Sequence, residues 1–278
     1  MVKSKVSSYI ITGVTWLSCL ILVVPFLWMI LLSFKTDSEI ALDPFSIPST
    51  LMLDNYNRAI KTLDFFTMYK NTFIIAILSL AIGLILPFMS SFAITRLHFQ
   101  SQKVKNGIYN FIMMGQMIPV YILLFPIYRM NINFGLSGGY LSIVLPLVAT
   151  NIAFNTLMFV GFLRDFPAEM EEAAIIDGCN LPTICLKVVT PIMKPVMTTI
   201  VIFNVLYIWN EYPLTVTMLK KPSMYTISLA ASMFKGQYST DISALVAGTV
   251  LIIIPQLIFY IIFQRKIIGG MTAGAVKG

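Results

Sequence analysis

Polar side chains are scarce in the apolar stretches of this sequence, and where they occur their spacing is regular. Asn204, Tyr207 and Glu211 stand at i, i+3 and i+7, one face of a helix, with Asn210 beside them. Asn151 and Asn155 stand at i and i+4, and Gln116 lies in a third apolar stretch. Such groups are costly in an apolar setting unless they face a cavity or a bundle interior. They could hydrogen-bond the hydroxyls of a polar solute, with Tyr207 or Trp209 stacking on a ring. They could equally join helix to helix, each bond contributing about 0.6–2 kcal/mol. The spacing allows both.

Other chemistries lack a constellation. His98 is the single histidine and falls just past an apolar stretch beside Arg96. Cys179 and Cys185 have a C-x5-C spacing that matches no zinc pattern, so they read as small apolar residues. No nucleophile, base and orienting group assemble, and no G-x-x-x-x-G-K-[ST] phosphate loop is present. The 17 methionines suit gap-filling between mobile helices better than metal binding. We expect no enzyme, no metal and no cofactor held by this chain.

The elements that must position these residues follow from composition. Of 278 residues, 58% are hydrophobic and 11% charged, and mean hydropathy is +0.85. A soluble domain carries roughly 25% charged residues, so this chain cannot cover a water-facing surface and belongs in a bilayer. Disorder and a disulfide scaffold are excluded by the high hydrophobicity and the 3 cysteines. The net charge of +7 is not clustered as nucleic-acid binding requires, and anionic lipid explains the basic run from Arg96 to Lys105.

A membrane crossing takes about 20 mainly apolar residues. Six stretches qualify, at about 9–33, 70–95, 107–129, 140–163, 195–219 and 242–264. They are continuous rather than alternating, which means helices and not barrel strands. Single prolines inside them (Pro25, Pro87, Pro119, Pro126, Pro146, Pro255) predict kinks. The first stretch reads as a retained anchor. With the N-terminus inside, the inner segments hold eleven basic residues against five acidic ones, and the outer segments hold eight against seven. That bias favours both termini in the cytoplasm. The outer segment from Lys35 to Tyr69 is expected to hold turn-like stretches with no core of its own, leaving residues 1–278 as one domain.

Between the fourth and fifth spans the run Arg164–Gly178 predicts a short helix. Pro167 suits its first position, Glu169 and Glu171 its positive end, and Gly178 a left-handed C-terminal cap. Met170, Ala173, Ala174 and Asp177 would share one narrow face, suited to a groove on another protein. Interfacial helices are usually basic and this one is acidic, which argues against a helix lying on lipid. Pro182 is expected to break the chain soon after.

Glu172-Ala173-Ala174-Ile-Ile-Asp177-Gly178, followed after twelve residues by Pro191-x-x-x-Pro195, resembles the EAA loop of ABC-importer permeases. Asn71-Thr72, Phe92-Ala93-Ile-Thr-Arg96-Leu-His-Phe99, Met117-Ile-Pro119, Ile208-Trp209-Asn210-Glu211 and the tail from Gly269 to Gly278 resemble the maltose-type, carbohydrate-uptake branch. The resemblance implies an all-α membrane protein of six transmembrane helices, N-in and C-in, with a short cytoplasmic coupling helix between helices 4 and 5. It implies ATPase coupling through Glu172, Ala173, Ala174, Asp177, Gly178 and Pro191, and a tail contact through Thr272, Ala273, Gly274 and Lys277. The implied partners are a second homologous permease, two cytoplasmic ATPase subunits that carry the ATP and Mg, an extracellular binding protein and membrane lipid. The implied solute is a carbohydrate, an oligosaccharide first, with a polyol or glycerol phosphate as the alternative. An ion-coupled secondary transporter is the competing class. It would want paired ionisable residues at mid-membrane, where this sequence offers only Glu211.

Overall fold

The computed structural model of the chain describes residues 5–234 and 241–273. The described residues form α1 (Lys5–Leu32), α2 (Asp37–Leu42), α3 (Asp54–Thr62), α4 (Phe65–Arg96), α5 (Gln102–Met114), α6 (Leu124–Asn133), α7 (Leu141–Arg164), α8 (Ala168–Ile176), α9 (Lys194–Asn210), α10 (Pro213–Met218) and α11 (Ile242–Ala273), with short helical turns between some of them. Contacts gather the chain into two compact units, Met1–Phe65 with Ala230–Pro255 and Phe66–Leu229 with Gln256–Gly278.

In the first unit α1 is apolar on all sides, and none of its central apolar window is buried. Such a helix has no core-facing stripe and has the length and composition of a membrane span. The hydroxyls of Thr15 and Ser18 donate to the carbonyls of Ile11 and Val14, so neither is left unpaired in hydrocarbon. The following segment is more ordered than its sequence suggested. Lys35 is fully buried, and its Nζ donates to the Asp43 carbonyl at 2.8 Å and Ser46 Oγ at 2.9 Å. Asn55 Nδ2 donates to the carbonyls of Ser33 and Lys35, and Thr36 with Glu39 forms a capping box that starts α2. Arg58 pairs with Asp241 at 2.7 Å, while Asp37 accepts from the backbone N–H and hydroxyl of Ser243. These bonds fasten α2 and α3 to the start of α11. A Cβ on Gly248 would stand 2.6 Å from the Phe234 ring, so only glycine allows that ring to lie against α11.

In the second unit α4 and α7 are the buried spans. Asn71 binds three ways: its Nδ2 donates to the carbonyls of Ser223 and Tyr225, and its Oδ1 accepts from the Tyr140 hydroxyl at 2.7 Å. Thr72 Oγ1 accepts from the Ile227 N–H. The Asn-Thr pair thereby ties the 222–227 loop and the start of α7 to α4.

Among the described residues, four helices are long and apolar enough to cross a membrane, or up to six if each of two bent pairs is one span. Those four match the expected stretches 9–33, 70–95, 140–163 and 242–264. The other two expected stretches fall on the two bent pairs, which are broken rather than gently kinked. Over the expected stretch 107–129, α5 and a short 3-10 turn run to Met117, and the chain turns by 88° before continuing to Asn133. Pro119 forces the residue before it out of the helical region, and Ile118 is extended at ψ 119°. At the expected stretch 195–219, α9 is preceded by Leu181–Ile192, which meets it at 70°. Helix α9 then stops at Asn210, because Pro213 has no N–H to donate and its ring would strike the carbonyl one turn back.

Candidate functional site

Helix α8 is built as its residues suggest, with two corrections. Pro167 is the N-cap rather than the first helical residue, and Ala168 follows it. At the other end Gly178 lies at φ +79°, its N–H donating to the Ile175 carbonyl, while the Cys179 N–H donates to the Ala174 carbonyl. This is the paired Schellman arrangement that glycine permits. The second correction concerns the faces. Met170, Glu172, Ala173 and Asp177 are exposed, but Ala174 is only 7% exposed. It packs into a core with Phe88, Phe92, Phe159, Leu163 and Ile184. Ala174 therefore seats the helix, and the open face is the neighbouring one.

A polar clamp that the sequence reading missed holds the same helix. Arg96, the last residue of α4, donates through Nε to Glu171 Oε1 at 2.6 Å and Oε2 at 2.9 Å. Its Nη2 donates to the Leu163 carbonyl near the end of α7 at 2.8 Å, and the guanidinium lies 5.7 Å from the Phe166 ring centre. The side chains of Arg96 and Glu171 are 17% and 15% exposed, so water screens this pair weakly. One guanidinium thus fixes α8 to two long helices at once. The signal in the sequence was a lone arginine closing an apolar span, with an acidic helix still to be placed.

Beyond Gly178 the chain restarts instead of breaking. Asn180 caps the next segment by accepting from the Thr183 N–H at 3.0 Å, and Pro182 sits in its first turn, where a missing N–H costs nothing. The segment widens into a π-helical stretch, Ile184–Val189, just before Pro191. A wider turn draws the backbone away from a carbonyl that the Pro191 ring would otherwise strike. Pro191 itself is exposed, and Cys179 and Cys185 pack against the same apolar core.

The polar residues of the spans divide into three groups. Asn155 and Asn204 are buried and face one another: Asn204 Nδ2 donates to Asn155 Oδ1 at 2.9 Å, and Asn155 Nδ2 donates to the Gly83 carbonyl on α4. Their geometry joins α4, α7 and α9. Glu211 is buried and lies beyond the end of α9, so the expected i, i+3, i+7 face does not extend to it. Its Oε1 accepts from the Leu214 N–H at 2.8 Å and steadies the start of α10. In the third group Asn151 and Asn210 donate to carbonyls of their own helices and Gln116 is exposed, while Tyr207 is half-buried with its hydroxyl beside Thr150 and Glu211. Trp209 has its ring against Tyr69 and Phe73, at 5.8 and 5.9 Å between centres, so it is not open for stacking. Thr272 and Ala273 are the last residues of α11, while Gly274 and Lys277 lie outside the described residues.

Residues 91–271, which contain α8 and most of the bundle, match the family described as the inner membrane component of binding-protein-dependent transport systems. The chain is 34% identical over its full length to a putative ABC transporter permease protein, ORF2, of Caldicellulosiruptor sp. (strain Rt8B.4), covering 99% of that relative. It is 29% identical, over 100% of both chains, to AmyC of Thermoanaerobacterium thermosulfurigenes, a probable starch degradation products transport system permease protein. Its fold is similar to that of a chain in a crystal structure of a bacterial ABC transporter involved in the import of the acidic polysaccharide alginate. The TM-score is 0.82 at 19% identity, covering 95% of this chain and 99% of that one.

Proposed function

The chain belongs to the family of inner membrane components of binding-protein-dependent transport systems, and from that premise we propose that it imports an oligosaccharide and receives the driving motion through α8. It is a carbohydrate-uptake ABC permease, a multi-pass protein of the cytoplasmic membrane and a transport subunit rather than an enzyme. The observation that carries the coupling role is the mounting of α8. Met170, Glu172, Ala173 and Asp177 are presented to the outside, while Ala174 and Glu171 fasten the helix to α4 and α7. A force on the open face therefore moves two long helices without first bending a loop.

In this reading the chain forms six spans with both termini inside, α8 is cytoplasmic, and the two bent helix pairs each count as one crossing. ATP and Mg bind to two ATPase subunits, whose closure draws α8 and swings the bundle to face outward. A second homologous permease completes the translocation path, and an extracellular binding protein delivers the sugar. The tail from Thr272 to Lys277 reaches the ATPases. Within the path, Asn151, Asn210 and Gln116 are the groups left to meet sugar hydroxyls, since Asn155, Asn204 and Glu211 serve the fold and the Tyr207 hydroxyl lies beside Thr150 and Glu211. The names of relatives such as AmyC support an oligosaccharide as cargo.

The test is copurification. The tagged chain, expressed with its chromosomal neighbours, is expected to bring down a second permease and an ATPase. Gly178→Asp puts a side chain at φ +79°, where nothing within 4 Å obstructs it but the backbone is strained, and is expected to weaken ATPase recovery. A chain purified alone, or ATPase recovery unchanged by the substitution, would refute the assignment of α8.

A further inference from the structure

A cavity of about 400 Å³ lies beside the clamp, between the last turns of α4 and α7 and the first turns of α5. Arg96, Lys105 and Arg164 line it, together with the amides of Gln102 and Asn106 and the ring of Tyr109, and no acidic residue is among its lining. The Arg164 guanidinium rests 5.5 Å from the Tyr109 ring centre. Helix α5 begins at the cavity wall, and its N-cap, Ser101, makes no side-chain cap bond, so the positive end of a 13-residue helix adds to Lys105 and Arg164, the Arg96 charge being met by Glu171. On α5 the apolar side chains Val104, Ile108 and Phe111 are exposed at i, i+4 and i+7, a stripe suited to acyl chains. A pocket lined by cations next to an exposed apolar stripe is the shape of a headgroup site, and, resting on the proposed cytoplasmic placement of α8, it opens to the leaflet that is anionic.

We propose that this cavity binds the phosphate of an anionic phospholipid from the inner leaflet, through Lys105 and Arg164 with Arg96 as its inner wall. Arg96 already spends Nε on Glu171 and Nη2 on Leu163, so the bound phosphate touches the residue that holds α8. Lipid occupancy would thereby stiffen the clamp. Phosphate is a chemistry that the lipid shares with the free ion, and the experiment separates the two sources.

Complexes of the full chain with its partner subunits are reconstituted in nanodiscs of phosphatidylcholine alone, or of three parts phosphatidylcholine to one of phosphatidylglycerol. Native mass spectrometry then counts the phosphatidylglycerol retained on the permease. Wild type and Lys105→Arg are expected to retain it. Lys105→Gln with Arg164→Gln is expected to weaken retention about thirtyfold, and Lys105→Gln alone about fivefold. The single variant is the one to read if the double variant fails to assemble. A parallel titration of inorganic phosphate into the neutral nanodiscs, followed by phosphorus NMR, is expected to show no site. Equal retention by wild type and both variants overturns the proposal, as does saturable binding of free phosphate without lipid retention. ATPase recovery is expected to be unchanged in Lys105→Gln, which separates this test from that of the coupling helix.

Discussion

Arg96 concentrates more of the mechanism than any other single residue. Replacing it by alanine leaves the Glu171 carboxylate without its cation and the Leu163 carbonyl without a donor. Loss of a weakly screened, hydrogen-bonded pair of this kind costs about 2–3 kcal/mol. Arg96→Ala is therefore expected to lower the thermal midpoint of the purified complex, and a double-mutant cycle with Glu171→Ala should return a coupling energy well above that of a surface pair. Additivity of the two single changes would show that the clamp is idle. Glu39 offers a titratable counterpart in the first unit. Its carboxylate accepts bonds from the Ser49 hydroxyl and the Thr36 N–H, which hold its pKa down to about 2 from 4.5. A depressed carboxylate stabilises the folded form above the unfolded value and loses that effect as pH falls through the folded one. Protection of the 36–49 segment in hydrogen exchange should hold above pH 4.5, decline between 4.5 and 2, and become insensitive to pH in Glu39→Gln.

At the scale of the element, α8 turns on a difference of one residue. Ala173 is exposed and Ala174 is buried in the core, although both are alanines in one short run. Leucine at 174 overpacks a filled space and should cost about 1–3 kcal/mol. Leucine at 173 should alter stability by less than about 0.5 kcal/mol, yet obstruct the proposed docking face and lower ATP-dependent uptake. Thermal midpoint and uptake measured on both variants check this, and reversed effects would mean that the faces are exchanged. The other local devices were legible in the chain itself. Glu169 and Glu171 announce a helix start and Gly178 announces a left-handed cap, because each acts within four residues. Pro119 announces a kink, but its consequence, an 88° turn, was not legible, and the end of α9 before Pro213 was missed altogether. The size of a bend depends on what packs in its angle.

For the molecule as a whole, the proposed energy source is outside the chain, so uptake by the assembled system should survive proton ionophores as long as ATP is supplied. Collapse of uptake with the proton gradient at constant ATP would favour ion coupling through Glu211 instead. The buried setting of Glu211, with Oε1 given to the Leu214 N–H, suits a fixed structural acceptor. The sequence by itself determined the solvent, the helical class, the four unbroken spans and the family. Hydropathy, helical period and short motifs are sums over neighbours along the chain, so they need no knowledge of packing. Only the tertiary structure decided which polar groups face one another. Asn155 finds Asn204 across 49 residues, and Arg96 finds Glu171 across 75. Each pairing depends on the rotation of two helices about their own axes. That rotation is set by side chains far away in sequence, and one residue of difference turns a helix by about 100°.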